Sequence, residues 1–145
     1  MERRDVLLGM GAVALAAVAR GAAAADEHAA HHHHGGAYGK LAGAASECRM
    51  AAQVCVDHCL ELLGQGDKSL AACARSAYEV AAVCAALQQL ATQSSPHLKA
   101  FAKVAQGICS DCEQECKKHD EHEQCRKCGE ACAACAKECE AVGSA

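Results

Sequence analysis

The sequence predicts an all-α protein, an antiparallel up-down four-helix bundle with a cysteine-lined core. Three observations lead there. Alanine is abundant and proline occurs once in 145 residues; these are the best and the worst helix formers. From Leu41 onward, four stretches of similar length are separated by short turn signals, which implies antiparallel neighbours. Within each stretch the cysteines recur at gaps of 3, 4, 7 or 11 residues, the spacings that return a side chain to one helix face. No stretch shows the alternation of a strand.

The chain opens with Arg3-Arg4, an apolar run from Val6 to Ala19 and the small residues Gly21 to Ala25. A charged start, a moderate apolar stretch and an Ala-x-Ala end make residues 1–25 a cleavable export signal, with cleavage expected near Ala23 to Ala25. The apolar run is too short and too rich in Ala and Gly for a membrane span, so no stable membrane insertion is expected. The paired arginines resemble a twin-arginine signal; a Sec signal that happens to carry Arg-Arg is the alternative. Twin-arginine export to the periplasm, which moves proteins already folded, would keep thiols from meeting an oxidising compartment unfolded. Residues 26–40 read as a flexible, His-rich tail whose His31 to His34 can capture metal ions.

Residues 41–142 form the bundle. The first helix is expected from about Leu41 to Leu63, stopped by Gly64-Gln65-Gly66. Asp67 is placed to cap the second, about Lys68 to Thr92. Ser95 suits a cap and Pro96 a first helical position for the third, which runs to about Lys118. Asp120 followed by Glu123 has capping-box spacing and opens the fourth, which ends near Val142 before Gly143.

A net charge of −4 argues against nucleic acid, whose backbone calls for clustered Lys and Arg. One Phe, two Tyr and no Trp leave no stacking platform. Large apolar side chains are sparse after residue 25, so alanine and cysteine must fill the core. Free cysteine is a small buried hydrophobe, but filler is not concentrated to 13 in 145.

The cysteines are 48, 55 and 59 in the first helix, 73 and 84 in the second, 109, 112 and 116 in the third, and 125, 128, 132, 135 and 139 in the fourth. At 100° per residue they span arcs of about 40°, 20°, 60° and 80°. Each arc is as narrow as an ordinary core stripe, so all 13 sulfurs can face one axis. Apart from Ala and Val142, the fourth helix has almost no other apolar side chain. Its surroundings are expected to be thiol-rich along the whole length.

Soft thiolates select copper(I), zinc or iron–sulfur clusters. Copper(I) accepts two or three sulfurs with little angular demand, and helical Cys-x-x-Cys and Cys-x-x-x-Cys pairs suit it. Zinc wants four ligands in a tetrahedron, and the usual two-pair module bounded by loops is missing here. Cys109-x-x-Cys112 and Cys125-x-x-Cys128 match the start of a ferredoxin run, but a three-residue gap follows in each case and no Cys-Pro. A disulfide scaffold is the structural alternative. The odd count of 13 leaves a thiol unpaired, and helical neighbours stand about 5–6 Å apart at Cβ against about 3.8 Å in a disulfide. No open coordination position beside an acid or base marks an enzyme. The reading is therefore a binding protein that stores many copper(I) ions through core thiolates, for later supply to copper enzymes. An iron–sulfur or zinc-binding helical protein, or a disulfide-stabilised bundle, is the alternative.

The run Cys109-Ser-Asp-Cys112-Glu-Gln-Glu-Cys116 resembles the bacterial copper storage proteins. So does Cys125-Arg-Lys-Cys128-Gly-Glu-Ala-Cys132-Ala-Ala-Cys135-Ala-Lys-Glu-Cys139, together with the four-helix layout and the leader. The match is nearest to their exported branch, first found in methane-oxidising bacteria. The resemblance implies a homotetramer of four-helix bundles, each core filled with copper(I). In a methanotroph it implies supply to particulate methane monooxygenase. It carries Cys48, Cys55, Cys59, Cys73, Cys84, Cys109, Cys112, Cys116, Cys125, Cys128, Cys132, Cys135 and Cys139 over as metal ligands. The family also uses His or Met near the bundle mouth. Met50 sits about 180–220° from the sulfur arc and reads as surface. His58 lies about 60° off that arc. His119 falls on the sulfur face if the third helix reaches it, and His122 is at the same end. These three histidines are the additional candidate ligands; His97 has no assigned role.

Overall fold

A computed structural model describes residues 36–145. The leader and most of the His-rich tail lie outside the described residues. Four helices follow one another: α1 (Gly39–Gly64), α2 (Ala71–Thr92), α3 (Leu98–Cys116) and α4 (Glu123–Ser144), with 3₁₀ turns at Lys68–Leu70 and Lys117–His119. Helix α1 takes in Gly39 and Lys40, which the sequence assigns to the tail.

The connections explain where each helix stops. After α1, Gly66 has φ +96°; its N–H donates to Leu63 O and that of Asp67 to Leu62 O, both at 3.0 Å. This is a Schellman closure with glycine in the left-handed position. Helix α2 ends the same way without a glycine. Ser94 takes φ 49°, the N–H of Ser95 donates to Leu90 O at 2.9 Å and that of Ser94 to Ala91 O at 3.2 Å. Asp67 caps the next turn as expected, its Oδ1 accepting from Ser69 N at 3.0 Å and from Ser69 Oγ at 2.6 Å. Ser95 Oγ accepts from His97 N at 3.2 Å, and α3 begins just after, at Leu98. The capping box at Asp120 does not form. Asp120 is itself in a helical conformation after the 3₁₀ turn, and the residue before α4 is His122, which makes no side-chain cap bond.

Each helix packs on two neighbours, α1 and α3 both touching α2 and α4, so the four form a closed ring. The contacts are most extensive within α1–α2 and α3–α4, two helical hairpins docked face to face. The cross-helix sulfur pairs fix the direction. Cys48 meets Cys132 and Cys55 meets Cys125, while Cys73 meets Cys116 and Cys84 meets Cys109. Residue numbers rise on one helix as they fall on its neighbour, as antiparallel packing requires.

The interior is not thiol-rich from end to end. Leu41 of α1, Leu87 of α2 and Leu98 of α3 are among the largest fully buried side chains and meet at one end, with Ala45, Ala91 and Ala102. Val142 of α4 packs against them. Burying a leucine stabilises by roughly 1.5–3 kcal/mol, more than a small thiol offers. Aliphatic packing thus seals one end and sulfur fills the middle. At the other end Leu70 is fully buried, and the same end of the bundle carries His58, His119 and His122.

Ser94 supplies a test of this architecture. A left-handed L-residue costs about 1–2 kcal/mol, and a glycine there gives back roughly 0.4–1 kcal/mol through the unfolded chain. Ser94→Gly is expected to raise urea stability by about 0.5–1 kcal/mol. A lowered midpoint would contradict the closure described at the end of α2.

Candidate metal centre

All 13 cysteines are fully buried at 0 % exposure, and all are free thiols. Four sets of sulfur atoms lie within 4.8 Å of one another: Cys48–Cys84–Cys109–Cys135, Cys55–Cys59–Cys73–Cys125, Cys55–Cys116–Cys128 and Cys112–Cys128–Cys132. The two four-sulfur sets differ in origin. The first takes one thiol from each helix; the second takes Cys55 and Cys59 from α1, Cys73 from α2 and Cys125 from α4. Sulfur–sulfur contacts run from 3.6 Å (Cys48–Cys132) to 4.0 Å (Cys84–Cys109). Cys55 touches Cys59 at 3.9 Å, Cys73 at 3.7 Å and Cys125 at 3.8 Å, which makes it the hub of the set nearest the histidines.

These contacts set the protonation of the thiols. Burial, then the charge of Cys55, pushes Cys59 up to about 11. Burial, then Cys55 and Cys59, pushes Cys125 up to about 12. Cys55 is displaced downward, because Cys116, Cys128 and Cys73 donate S–H bonds to it. Cys112 and Cys135 are lowered in the same way, led by Cys116 and Cys109 respectively. A thiolate that neighbours already stabilise is a ligand in waiting, since the thiolate is the form that binds metal. The thiols pushed upward, Cys59 and Cys125 among them, must shed a proton as an ion arrives.

The histidines stand at the rim and outside the sulfur sets. His58 Nε2 and His122 Nδ1 are 3.1 Å apart, their ring centroids 4.9 Å apart and tilted by 56°. His119 lies 3.8 Å from Glu115 and is 12 % exposed, against 28 % for His122. His58 and His122 thus join as a pair across the α1 and α4 ends, a contact the helix-one arc did not show. His97 is exposed at the start of α3. Met50 is 60 % exposed, as its angle required.

Sequence spacing missed one positioning residue. Gly129 is buried in α4 between Cys128 and Cys132. A Cβ there would stand 3.3 Å from Cys116 Cβ and 3.7 Å from Glu113 O. The missing side chain lets α3 and α4 close on each other where Cys112 and Cys116 meet Cys128. A lone glycine inside a helical pattern was the available signal.

A closed helical ring holding buried free thiols in overlapping sets, with no carboxylate among them, is a protein for holding soft metal ions. The chain belongs to the copper storage protein (Csp) family, whose model matches residues 34–144. It is 34 % identical over 101 residues to the uncharacterised cysteine-rich protein YhjQ of Bacillus subtilis, covering 70 % of this chain and 91 % of that one. The Cu(I)-bound structure of the copper storage protein BsCsp3 superposes with a TM-score of 0.65 at 33 % identity, covering 71 % of this chain and 94 % of the other. Apo-Csp3 from Bacillus subtilis gives 0.64 at 32 %, covering 72 % and 96 %. A cytosolic copper storage protein from Streptomyces lividans, solved with five coppers, gives 0.69 at 27 %, covering 75 % and 93 %.

These relatives correct the localisation expected from residues 1–25. Twin-arginine export to the periplasm does not stand, since the similar solved structures include Csp3 of Bacillus subtilis and a Streptomyces lividans copper storage protein described as cytosolic. A basic start before a short run of Ala and Gly is composition that an alanine-rich chain produces readily.

Two tests follow from the geometry. In the unfolded chain thiols ionise near 9.0, whereas folded Cys59 and Cys125 keep their protons to about 11 and about 12. Their contribution to stability is whole below pH 9.0 and lost as pH rises through those values. Cys55, Cys112 and Cys135 run the other way, and their contribution no longer changes above 9.0. The urea midpoint of the metal-free protein is expected to fall between pH 9 and pH 12; a flat profile would refute the raised thiols. Gly129→Ala gains up to about 1 kcal/mol of helix propensity, which offsets the squeeze against Cys116. Overall stability is expected to stay within about 1 kcal/mol of the parent, while fewer copper(I) ions survive competition with a chelator. An unchanged competition curve would show that this glycine does not set the sulfur spacing.

Proposed function

We propose that the chain stores many copper(I) ions as cargo and that all 13 cysteines serve as ligands. The observation that carries this is the overlap of the sulfur sets: Cys55 belongs to two of them and Cys128 to two. A shared thiolate can bridge neighbouring ions, so a run of overlapping sets holds more ions than the same thiols divided among separate sites. Each ion displaces protons from the raised thiols, so affinity rises with pH. The copper-binding unit is the bundle, residues 41–142. His58, His119 and His122 serve the rim of the column, where an ion first leaves water. The chain acts as a store, the role that its family supports. It delivers to copper enzymes and assembles as a homotetramer, readings that the family resemblance supports.

A zinc reading has one observation in its favour. Tetrahedral Zn–S bonds of 2.3 Å place sulfurs about 3.8 Å apart, and the contacts within the Cys55 set, from 3.7 to 3.9 Å, match that edge. Zinc would fill the two four-sulfur sets and stop there.

Anaerobic titration of the reduced protein with copper(I) against a competing chelator separates the two readings. Storage is expected to approach one ion per thiol. Saturation at two ions, or zinc displacing copper(I) from the column, would overturn it.

A further inference from the structure

Helix α2 brings the fewest thiols to the core. Its cysteines, Cys73 and Cys84, are separated by a wall that includes Ala77 and Val80, both fully buried. The facing helix α3 does carry a thiol at that level, Cys112. The two helices run antiparallel, with Cys73 and Cys116 3.8 Å apart and Cys84 and Cys109 4.0 Å apart. One turn inward from the first of these contacts, the register sets Ser76 opposite Cys112. Ser76 is half-buried. At 100° per residue it lies about 60° from Cys73, at the edge of the buried face where α2 meets α3. The thiols of Cys116, Cys128 and Cys132 donate to Cys112, and the Ser76 hydroxyl donates beside them. Serine and threonine inside a helix often return the hydroxyl to the carbonyl four residues back. Thr92 does so, its Oγ1 donating to Gln88 O at 2.8 Å. The Ser76 hydroxyl is turned to sulfur instead.

We propose that Ser76 is a positioning residue of the copper column, its O–H bonded to Cys112 Sγ so that this thiolate stays aimed into the Cys112–Cys128–Cys132 set and holds its ion more firmly. The proposal rests on the storage reading of the same core. A metal-bound thiolate keeps lone pairs that accept hydrogen bonds. Outer partners of a ligand commonly change metal affinity by about 10–100-fold. A neutral hydroxyl is a hard, weak ligand for copper(I), so Ser76 orients the sulfur without competing for the ion.

The test uses reduced full-length protein loaded anaerobically with tetrakis(acetonitrile)copper(I) and titrated with bathocuproine disulfonate. In Ser76→Ala the most weakly held copper is expected to leave at about tenfold lower free chelator than in the parent, while the rest follows the parent course. Alanine is the better helix former, so the urea midpoint of the metal-free variant is expected to match or exceed that of the parent. A serine with only a structural part would move the midpoint and leave the competition curve alone. Superimposed competition curves would overturn the proposal. Ser76→Cys tests the orientation independently of stability. The introduced thiol is expected to join the set, so that the loaded variant resists iodoacetamide as the parent does. Alkylation of that thiol in the loaded variant would show the side chain facing away from Cys112 and would also overturn the proposal. A parent that takes up no copper would overturn the storage reading instead, so the two failures are distinct.

Discussion

Sulfur pressed against sulfur at the axis of an antiparallel ring is the constraint on which this molecule depends. Contacts of 3.6 to 4.0 Å between cysteines of different helices require the helices to approach closely and in fixed register. Close approach explains the alanines that share the interior, the buried Gly129 and the absence of any aromatic ring from the core. It also explains why the buried leucines lie toward the ends, Leu41, Leu87 and Leu98 at one and Leu70 at the other. A leucine at the level of Cys55 or Cys109 would prise the sulfurs apart, so Leu41, Leu87 and Leu98 sit where no ligand set has to form. Packing strength and metal binding are therefore assigned to different lengths of the same helices.

Much of this could be read from the chain because the helical period is rigid. Gaps of three, four, seven and eleven residues oblige a helix to turn its cysteines inward, and all 13 are buried. Helix ends written in glycine or aspartate, at Gly66 and Asp67, were equally legible. What escaped was decided by tertiary contact. Ser94 adopts a left-handed conformation that its residue type does not announce. Asp120 has the spacing of a cap, but the 3₁₀ turn at Lys117–His119 carries it past the position where it could act as one. The pairing of His58 with His122 joins residues 64 apart in sequence. The leucine closure was hidden because each helix contributes only one or two large side chains to it. Localisation failed for another reason: a leader pattern reports composition at the start of a chain, and the relatives pointed elsewhere.

The chemistry follows from keeping thiols dry yet in contact. Isolated buried thiols would hold their protons and resist metal. Here the S–H donors around Cys55, Cys112 and Cys135 favour an anion at those atoms, while their neighbours are raised. Three thiols that favour the anion thus stand among thiols that favour the proton. An arriving copper(I) ion finds both a ligand that is ready and a proton that can leave. Acidification reverses the exchange, so proton activity and copper retention are linked through the same atoms.

The confinement of large aliphatics to the bundle ends has a thermodynamic consequence. The heat capacity of unfolding rises with the apolar area that becomes exposed. A core in which small thiols and alanines take the place of leucine exposes less of it per residue than an ordinary bundle of this length. The curve of stability against temperature is correspondingly shallow, and the metal-free housing gains little on cooling and gives up little on moderate warming.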